Sequence, residues 1–395
     1  MIPVISSIEI NLSYITLCFS EKKTMKKIMF IYGTRPEAIK MAPLVKEFQK
    51  NVDKFETVLC LTGQHRQMLD QINDFFGIKG DYDLNLMKPN QTLFDIVSGC
   101  LLGLKDVLAK EKPDLIFVQG DTATVLAGSL AAYFYKIPVA HLEAGLRSGD
   151  KYAPFPEEIN RILTGHIADY HFAPTDRAVN NLKIENITNN VYKVGNTVID
   201  ALHLGLELIK KSGEGKYRDF FNFIDFSKRV ILVTGHRREN FGDGFEHMCK
   251  AIAYLADNND IEIVYPMHMN PNVREPVMKH LSNKKNVHLI EPLDYPYLIW
   301  LMEKCFFVLT DSGGIQEEAP ALGKPVLVMR DVTERQEGVE AGTAKLVGTK
   351  FDVIVNEALK LINNENEYAN MSNAVNPYGD GTTSKQIIEI LRTKI

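Results

Sequence analysis

Carboxylates, a histidine and several arginines gather in a few short polar clusters of this chain. The segments QGD (119–121), HLEAGLRS (141–148) and PEEINR (156–161) carry Asp121, Glu143, Glu157 and Glu158. Brought to one place, such carboxylates raise one another's pKa values and supply a general acid and a general base near neutral pH. Taken singly, each reads more readily as a solvated surface group or a helix cap than as a catalytic group. TGHRREN (234–240) adds His236, Arg237 and Arg238; a histidine beside arginines suits a departing phosphate, with a structural histidine as the alternative. In DSGGIQEE (311–318), Ser312, Gly313 and Gly314 let backbone N–H groups approach an anion at a helix start. Glu318, a helical turn further on, is placed to accept hydrogen bonds from ribose hydroxyls. The same Ser-Gly-Gly also reads as a plain capping turn. GTRPEAIKMAPL (33–44) offers Arg35 and Lys40 beside a second helix start, and ERQEG (334–338) offers Arg335. GTRPE lacks the G-x-G-x-x-G of a dinucleotide site, and no histidines stand at H-x-x-x-H or H-E-x-x-H spacing. Neither a nicotinamide cofactor nor a metal is expected.

Most of these clusters follow a short, β-rich apolar run. The runs are 27–33, 55–63, 114–120 and 137–145 in the first half, and 229–235, 261–266, 305–314 and 324–329 in the second, with amphipathic helical stretches between them. Near-continuous apolar strands alternating with helices predict parallel sheets covered on both faces. The fold class is therefore α/β, with two Rossmann-like, doubly wound domains in tandem. Ligands of open parallel sheets bind beyond the carboxyl ends of the strands, so two such edges facing each other make a central cleft. The expected division is 25–190 for the lobe with the acid/base carboxylates and 191–376 for the lobe with the anion cradle. Residues 377–395 form a last helix whose place in the chain hints at a return to the first lobe.

At 395 residues, two cores are the default expectation. A balance of 45 Lys+Arg against 50 Asp+Glu, net -5, with no long basic run, argues against nucleic acid or a membrane surface as main partner. The five cysteines, Cys18, Cys60, Cys100, Cys249 and Cys305, are scattered and fit free thiols in a reducing, cytoplasmic setting. Residues 1–24 lack a basic n-region and a small-residue cleavage site, are interrupted by Glu9, and precede a natural start at Met25. They read as a disordered or upstream-start extension without function.

The ordered set GTRPEAIKMAPL, TGQHRQMLD, QGDTATVLAG, HLEAGLRSGD, PFPEEINR, VGNTVIDAL, TGHRREN, DSGGIQEEAPALGKPVLVMR and TER resembles the non-hydrolysing UDP-N-acetylglucosamine 2-epimerases, over essentially the whole chain from Met25. The resemblance implies a GT-B-like architecture and, usually, a homodimer. It also implies reversible C2 epimerisation of UDP-N-acetylglucosamine to UDP-N-acetylmannosamine through a glycal, without a cofactor, supplying precursor for cell-surface polysaccharide. Asp121, Glu143, Glu157 and His236 match the family's catalytic positions. Ser312, Gly313, Gly314 and Glu318 match its uridine-diphosphate contacts, with Arg35, Lys40, Arg161, Arg238 and Arg335 adding charge. Gln64, His65 and Gln67 resemble part of a second UDP-N-acetylglucosamine site that activates bacterial members, although Asn90 stands where activator-dependent relatives would carry an arginine. A glycosyltransferase, a hydrolysing epimerase and a catalytically silent nucleotide-sugar sensor are the competing readings. From the missing metal and dinucleotide motifs, turnover should survive EDTA and need no added NAD; activity lost on chelation and restored by a divalent ion would overturn that.

Overall fold

The computed structural model describes residues 25–64 and 66–395. The extension at residues 1–24 and His65 of the second-site segment lie outside the described residues. β1 (Lys26–Tyr32), β2 (Phe55–Leu61), β3 (Tyr82–Asp83), β4 (Leu115–Gln119), β5 (Val139–Leu142), β6 (Tyr170–Ala173) and β7 (Val191–Lys193) form one sheet in the order β3-β2-β1-β4-β5-β6-β7. β8 (Arg229–Thr234), β9 (Ile261–Pro266), β10 (Val287–Ile290), β11 (Phe307–Thr310), β12 (Val326–Val328) and β13 (Ala344–Leu346) form a second in the order β10-β9-β8-β11-β12-β13. Neighbouring strands are parallel throughout, as in β1 with β2 and β4, and β8 with β9 and β11. Helices cover both faces, so the central strands must be apolar on each side. Ile28 to Ile31 in β1 and Ile231 to Val233 in β8 accordingly have no exposed surface.

Each sheet winds outward on one side and then resumes beside its first strand, between β1 and β4 in one sheet and between β8 and β11 in the other. At such a reversal the loops leaving adjacent strands diverge and open a crevice. β1 runs into GTRPE and β4 into QGD, while β8 runs into TGHRREN and β11 into DSGG. The polar clusters thus occupy the switch point of each sheet.

β7, just past the expected division at residues 190/191, pairs with β6 and continues the first sheet. The chain then crosses through 194–196 into the helix Thr197–Ser212. That helix packs on Arg35–Lys50 of the first lobe and on the helices Tyr295–Lys304 and Gly313–Ala321 of the second. A continuous apolar core results, from Phe30 and Phe117 through Leu202 and Leu206 to Trp300. Near Tyr378 the chain crosses back, and the helix Thr383–Lys394 packs on Arg35–Lys50, where Arg392 bonds the Asn51 side chain. The two crossings touch. Asn196 donates its backbone N–H to the Tyr378 carbonyl (2.7 Å). A Cβ on Gly195, whose φ is 90°, would lie 3.2 Å from the Gly379 Cα and 2.8 Å from Thr383 Oγ1, so glycine is required there.

Among the described residues no helix is long and apolar enough to cross a membrane, and Cys60, Cys100, Cys249 and Cys305 are free and buried. The start of the last helix is fastened by Asp200, a buried carboxylate that accepts from the backbone N–H groups of Ser384 (2.7 Å) and Thr383 (3.3 Å). Asp200→Ala should therefore cost about 1–2 kcal/mol, as a lost cap does. This should appear as a lower urea midpoint; an unchanged midpoint would show that the last helix is held by other contacts.

Candidate active site

In GTRPE, Thr34 caps the helix Arg35–Lys50 and forms a capping box with Glu37, whose Oε2 accepts from the backbone N–H groups of Gly33 (2.7 Å) and Thr34 (2.8 Å). A Cβ on Gly33 would lie 1.8 Å from Thr62 Oγ1, which makes glycine obligatory at this strand end. With Thr34 and Glu37 committed to the cap, Arg35 and Lys40 are the charges left to face the cleft. Lys40 Nζ donates to Glu143 Oε1 (2.7 Å) and Oε2 (2.6 Å). Glu143 also accepts from Gln119 Nε2 (2.5 Å) and Asn196 Nδ2 (3.1 Å). It follows β5 at a φ of 60°, a region that side-chain-bearing residues seldom adopt. Burial alone would raise its pKa, but the charges of Lys40 and Arg335 outweigh that and hold the carboxyl below its usual range. Lys40 in turn stays protonated because Glu143 and Glu317 outweigh its own desolvation.

The neighbouring carboxylates are used differently. Asp121 Oδ2 accepts from Arg161 Nη2 (2.5 Å), and Arg161 Nη1 reaches Glu158 (3.2 Å). Arg161, expected beside the phosphates, therefore bridges two carboxylates of the first lobe. Glu158 is buried and accepts from the backbone of Ser148 and Gly149, 3.0 Å each, which fastens the loop after β5. Glu157, the first residue of the helix Glu157–Ile167, is half-buried.

On the second lobe, fully buried Asp311 accepts through Oδ2 from the backbone N–H groups of His236 (2.9 Å) and Arg237 (2.8 Å). Its Oδ1 lies 3.7 Å from His236 Nδ1, and the His236 ring stacks on His268 with centroids 5.4 Å apart. Partial desolvation lowers the His236 pKa, with the Asp311 charge opposing. Arg238 is exposed and opens a short 3₁₀ turn. Ser312 stands at the N-cap of the helix Gly313–Ala321 but makes no side-chain cap bond. The plain capping turn loses its support, since the first N–H groups of this helix have no side-chain acceptor at the cap. The Arg335 guanidinium lies against Gly313, 3.5 Å from where a Cβ would stand, and its Nε donates to Glu317 Oε1 (2.8 Å). Glu318 accepts from the Tyr295 hydroxyl (3.1 Å), and burial pushes its carboxyl up to about 7.

A cleft of about 570 Å³ takes its walls from both lobes: Arg35 and Lys40 from one, His236, His268, Tyr295, Ser312, Gly314, Glu318 and Arg335 from the other. Asp121, Glu157, Arg161 and Arg238 lie outside its lining, and Glu143 meets it through Lys40. A larger cavity, about 1100 Å³, lies elsewhere between the lobes and holds none of the expected residues; Arg177 pairs with Glu340 across it (2.7 Å). In the second-site segment, Gln64 accepts from Thr124 Oγ1 (3.1 Å), its carbonyl accepts from Gln91 Nε2 (3.4 Å), and Gln67 and Asn90 are exposed. Gln119, Asn196, Tyr295, Asp311 and Glu317 were not anticipated as site residues. Asp311 and Glu317 stood inside DSGGIQEE, and Asn196 inside VGNTVIDAL; Tyr295 had no signal.

The chain matches the family model described as UDP-N-acetylglucosamine 2-epimerase over residues 46–392. A relative from Escherichia coli (strain K12), named UDP-N-acetylglucosamine 2-epimerase, is 54% identical over 370 residues, 93% of this chain and 98% of the relative. The crystal structure of UDP-GlcNAc 2-epimerase from Neisseria meningitidis bound to UDP-GlcNAc is similar at a TM-score of 0.85 and 50% identity, covering 93% of this chain and 100% of that one. A Staphylococcus aureus protein solved with UDP is similar at a TM-score of 0.82 and 46% identity, covering 94% and 96%.

Glu318 gives this site a measurable pH signature. Its folded-state value, about 7, lies above that of an unfolded glutamate. The folded protein therefore holds the proton more tightly, and this contribution to stability is lost as pH rises through about 7. Without nucleotide, Glu318→Gln should raise the melting temperature more at pH 8 than at pH 5; an equal difference at both would show that Glu318 does not titrate in that window.

Proposed function

The chain belongs to the UDP-N-acetylglucosamine 2-epimerase family, and on that premise we propose that it interconverts UDP-N-acetylglucosamine and UDP-N-acetylmannosamine by eliminating and re-adding UDP, consuming neither water nor a redox cofactor. One observation carries the reading. Lys40 of the first lobe and Arg335 of the second line one cleft, and the carboxylates behind them, Glu143 and Glu317, are joined through the Asn196 side chain.

The proton at C2 of the sugar has no adjacent carbonyl to acidify it. Breaking the C1–O bond to the diphosphate as that proton leaves gives a glycal. Protonation of C2 from the other face, with the C1–O bond re-formed, gives the epimer. Charge develops on the departing diphosphate, where Arg35, Arg238, Arg335, His236 and the N–H groups after Ser312 stabilise it. Glu318 accepts from the ribose hydroxyls. Asp121, Glu143 and Glu157 are the carboxylates available for the two faces of C2; Lys40 and Arg335 hold Glu143 ionised, the form a base requires, and the same cations make it a weaker base than a free glutamate until substrate draws them away. The relatives solved with UDP-GlcNAc and with UDP support this ligand class. The non-hydrolysing outcome rests on the GTRPE segment, from which sugar-cleaving relatives typically depart, and on lobe closure that keeps water from the glycal. Exposed Phe94, Leu102, Tyr133 and Phe134, on the adjacent helices Leu93–Glu111 and Ala123–Phe134, support association into a homodimer.

Turnover in heavy water should place deuterium at C2 of both epimers, with UDP-sugars and no free N-acetylmannosamine seen by NMR. Asp121→Asn, Glu143→Gln and Glu157→Gln should each slow turnover by about 10²-fold or more, while UDP still binds through Ser312, Glu318 and Arg335. Protium retained at C2 during epimerisation, or near-normal rates in all three variants, would show the chemistry to be misplaced; free sugar would show hydrolysis.

A further inference from the structure

Within VGNTVIDAL, Asn196 stands in the first crossing between the lobes and is 3% exposed. Its side chain uses every hydrogen-bonding group it has. Nδ2 donates to Glu143 Oε1 (3.1 Å) in the first lobe and to Glu317 Oε2 (2.7 Å) in the second. Oδ1 accepts from the Val198 N–H (3.1 Å) and caps the helix Thr197–Ser212. Beyond the two carboxylates lie their cations, Lys40 on Glu143 (2.6 Å) and Arg335 on Glu317 (2.8 Å). An unbroken path, Lys40–Glu143–Asn196–Glu317–Arg335, therefore runs from a wall of the cleft in one lobe to the anion-facing guanidinium in the other. Two carboxylates converging on one buried point repel unless donors stand between them, and the amide of Asn196 supplies both.

We propose that Asn196 is a positioning residue for epimerisation, fixing Glu143 relative to Glu317 and Arg335 so that the acid/base carboxylate of one lobe and the diphosphate cation of the other share one geometry. It touches no reacting atom and acts through Glu143, so the proposal rests on the acid/base reading of that residue. The charged and titratable groups around Glu143 are Lys40, Arg335, Glu317 and His141; burial holds the His141 imidazole neutral, at about 3.

Two substitutions separate this role from helix capping, because serine and aspartate both cap well. Asn196→Ser removes the bridge without adding charge, and kcat should fall about tenfold or more with little change in UDP affinity. Asn196→Asp places a third carboxylate beside Glu143, disfavours its ionisation, and should move the acid limb of the kcat profile to higher pH. Adding Glu317→Gln to Asn196→Asp should recover part of the loss, since the new amide can donate to the introduced carboxylate. Circular dichroism melts report folding, and the serine variant stands as the test if the aspartate variant does not fold. Parental kcat, KM and pH profile in Asn196→Ser would overturn the proposal. Glu143→Gln, assayed beside them, keeps the two ideas apart: normal turnover there defeats the acid/base reading itself, whereas an inactive Glu143→Gln beside a normal Asn196→Ser defeats the positioning role alone.

Discussion

Lys40 and Glu143 lie 103 residues apart in the chain, yet both Glu143 oxygens accept from one ammonium group deep between the lobes. A carboxylate withdrawn from water is tolerated only when its charge is matched and its lone pairs are filled. Much of the site can be traced to that demand. Lys40 supplies the charge, Gln119 and Asn196 fill the remaining acceptor sites, and Glu317 with Arg335 repeats the arrangement in the other lobe. Lys40, Arg335, Glu143 and Glu317 together are electrically neutral. Deleting either cation would leave a buried carboxylate, Glu143 or Glu317, without its partner, on the order of 3–5 kcal/mol when a buried pair is broken.

The helix starts are built around the same requirement. Thr34 and Glu37 satisfy the first turn of Arg35–Lys50 with each other, so neither Arg35 nor Lys40 is drawn into capping. At Gly313–Ala321 the opposite choice is made: the N-cap serine leaves the first N–H groups without a side-chain acceptor, and Arg335 stands over them. One helix start is closed to present side chains, and the other is open to present its backbone.

The central strands were legible because burial on both faces forces long apolar runs, as in KIMFIYG and RVILVTG. The clusters at their ends were legible because glycines and charged residues gather beyond the carboxyl ends of the apolar runs, where ligands of parallel sheets bind. The short strands β3, β6, β7, β10 and β13 gave no such run; YD, YHFA, VYK, VHLI and AKL become strands by pairing with a formed neighbour. The run 137–145 reads as one strand, but it ends at Leu142, because Glu143 turns into the left-handed region. Glu317 was passed over for its neighbour Glu318, since a pair of adjacent glutamates on a helix does not reveal which of them faces a cation and which a tyrosine hydroxyl. Asn196 read as part of a motif without chemistry because both of its partners are distant in sequence.

The paired crossings at Gly195 and Gly379 have a mechanical consequence. A single linker would let one lobe swing and twist freely about the other. Two passes of chain, bonded side by side through Asn196 and Tyr378, tie the lobes together at a second point and remove that freedom. The last helix, clamped to the first lobe beyond the second pass, anchors that second tie. Any relative movement of the lobes must therefore bend both passes together, so the placement of Arg335 relative to the carboxylates of the first lobe is set at two points of the chain rather than one.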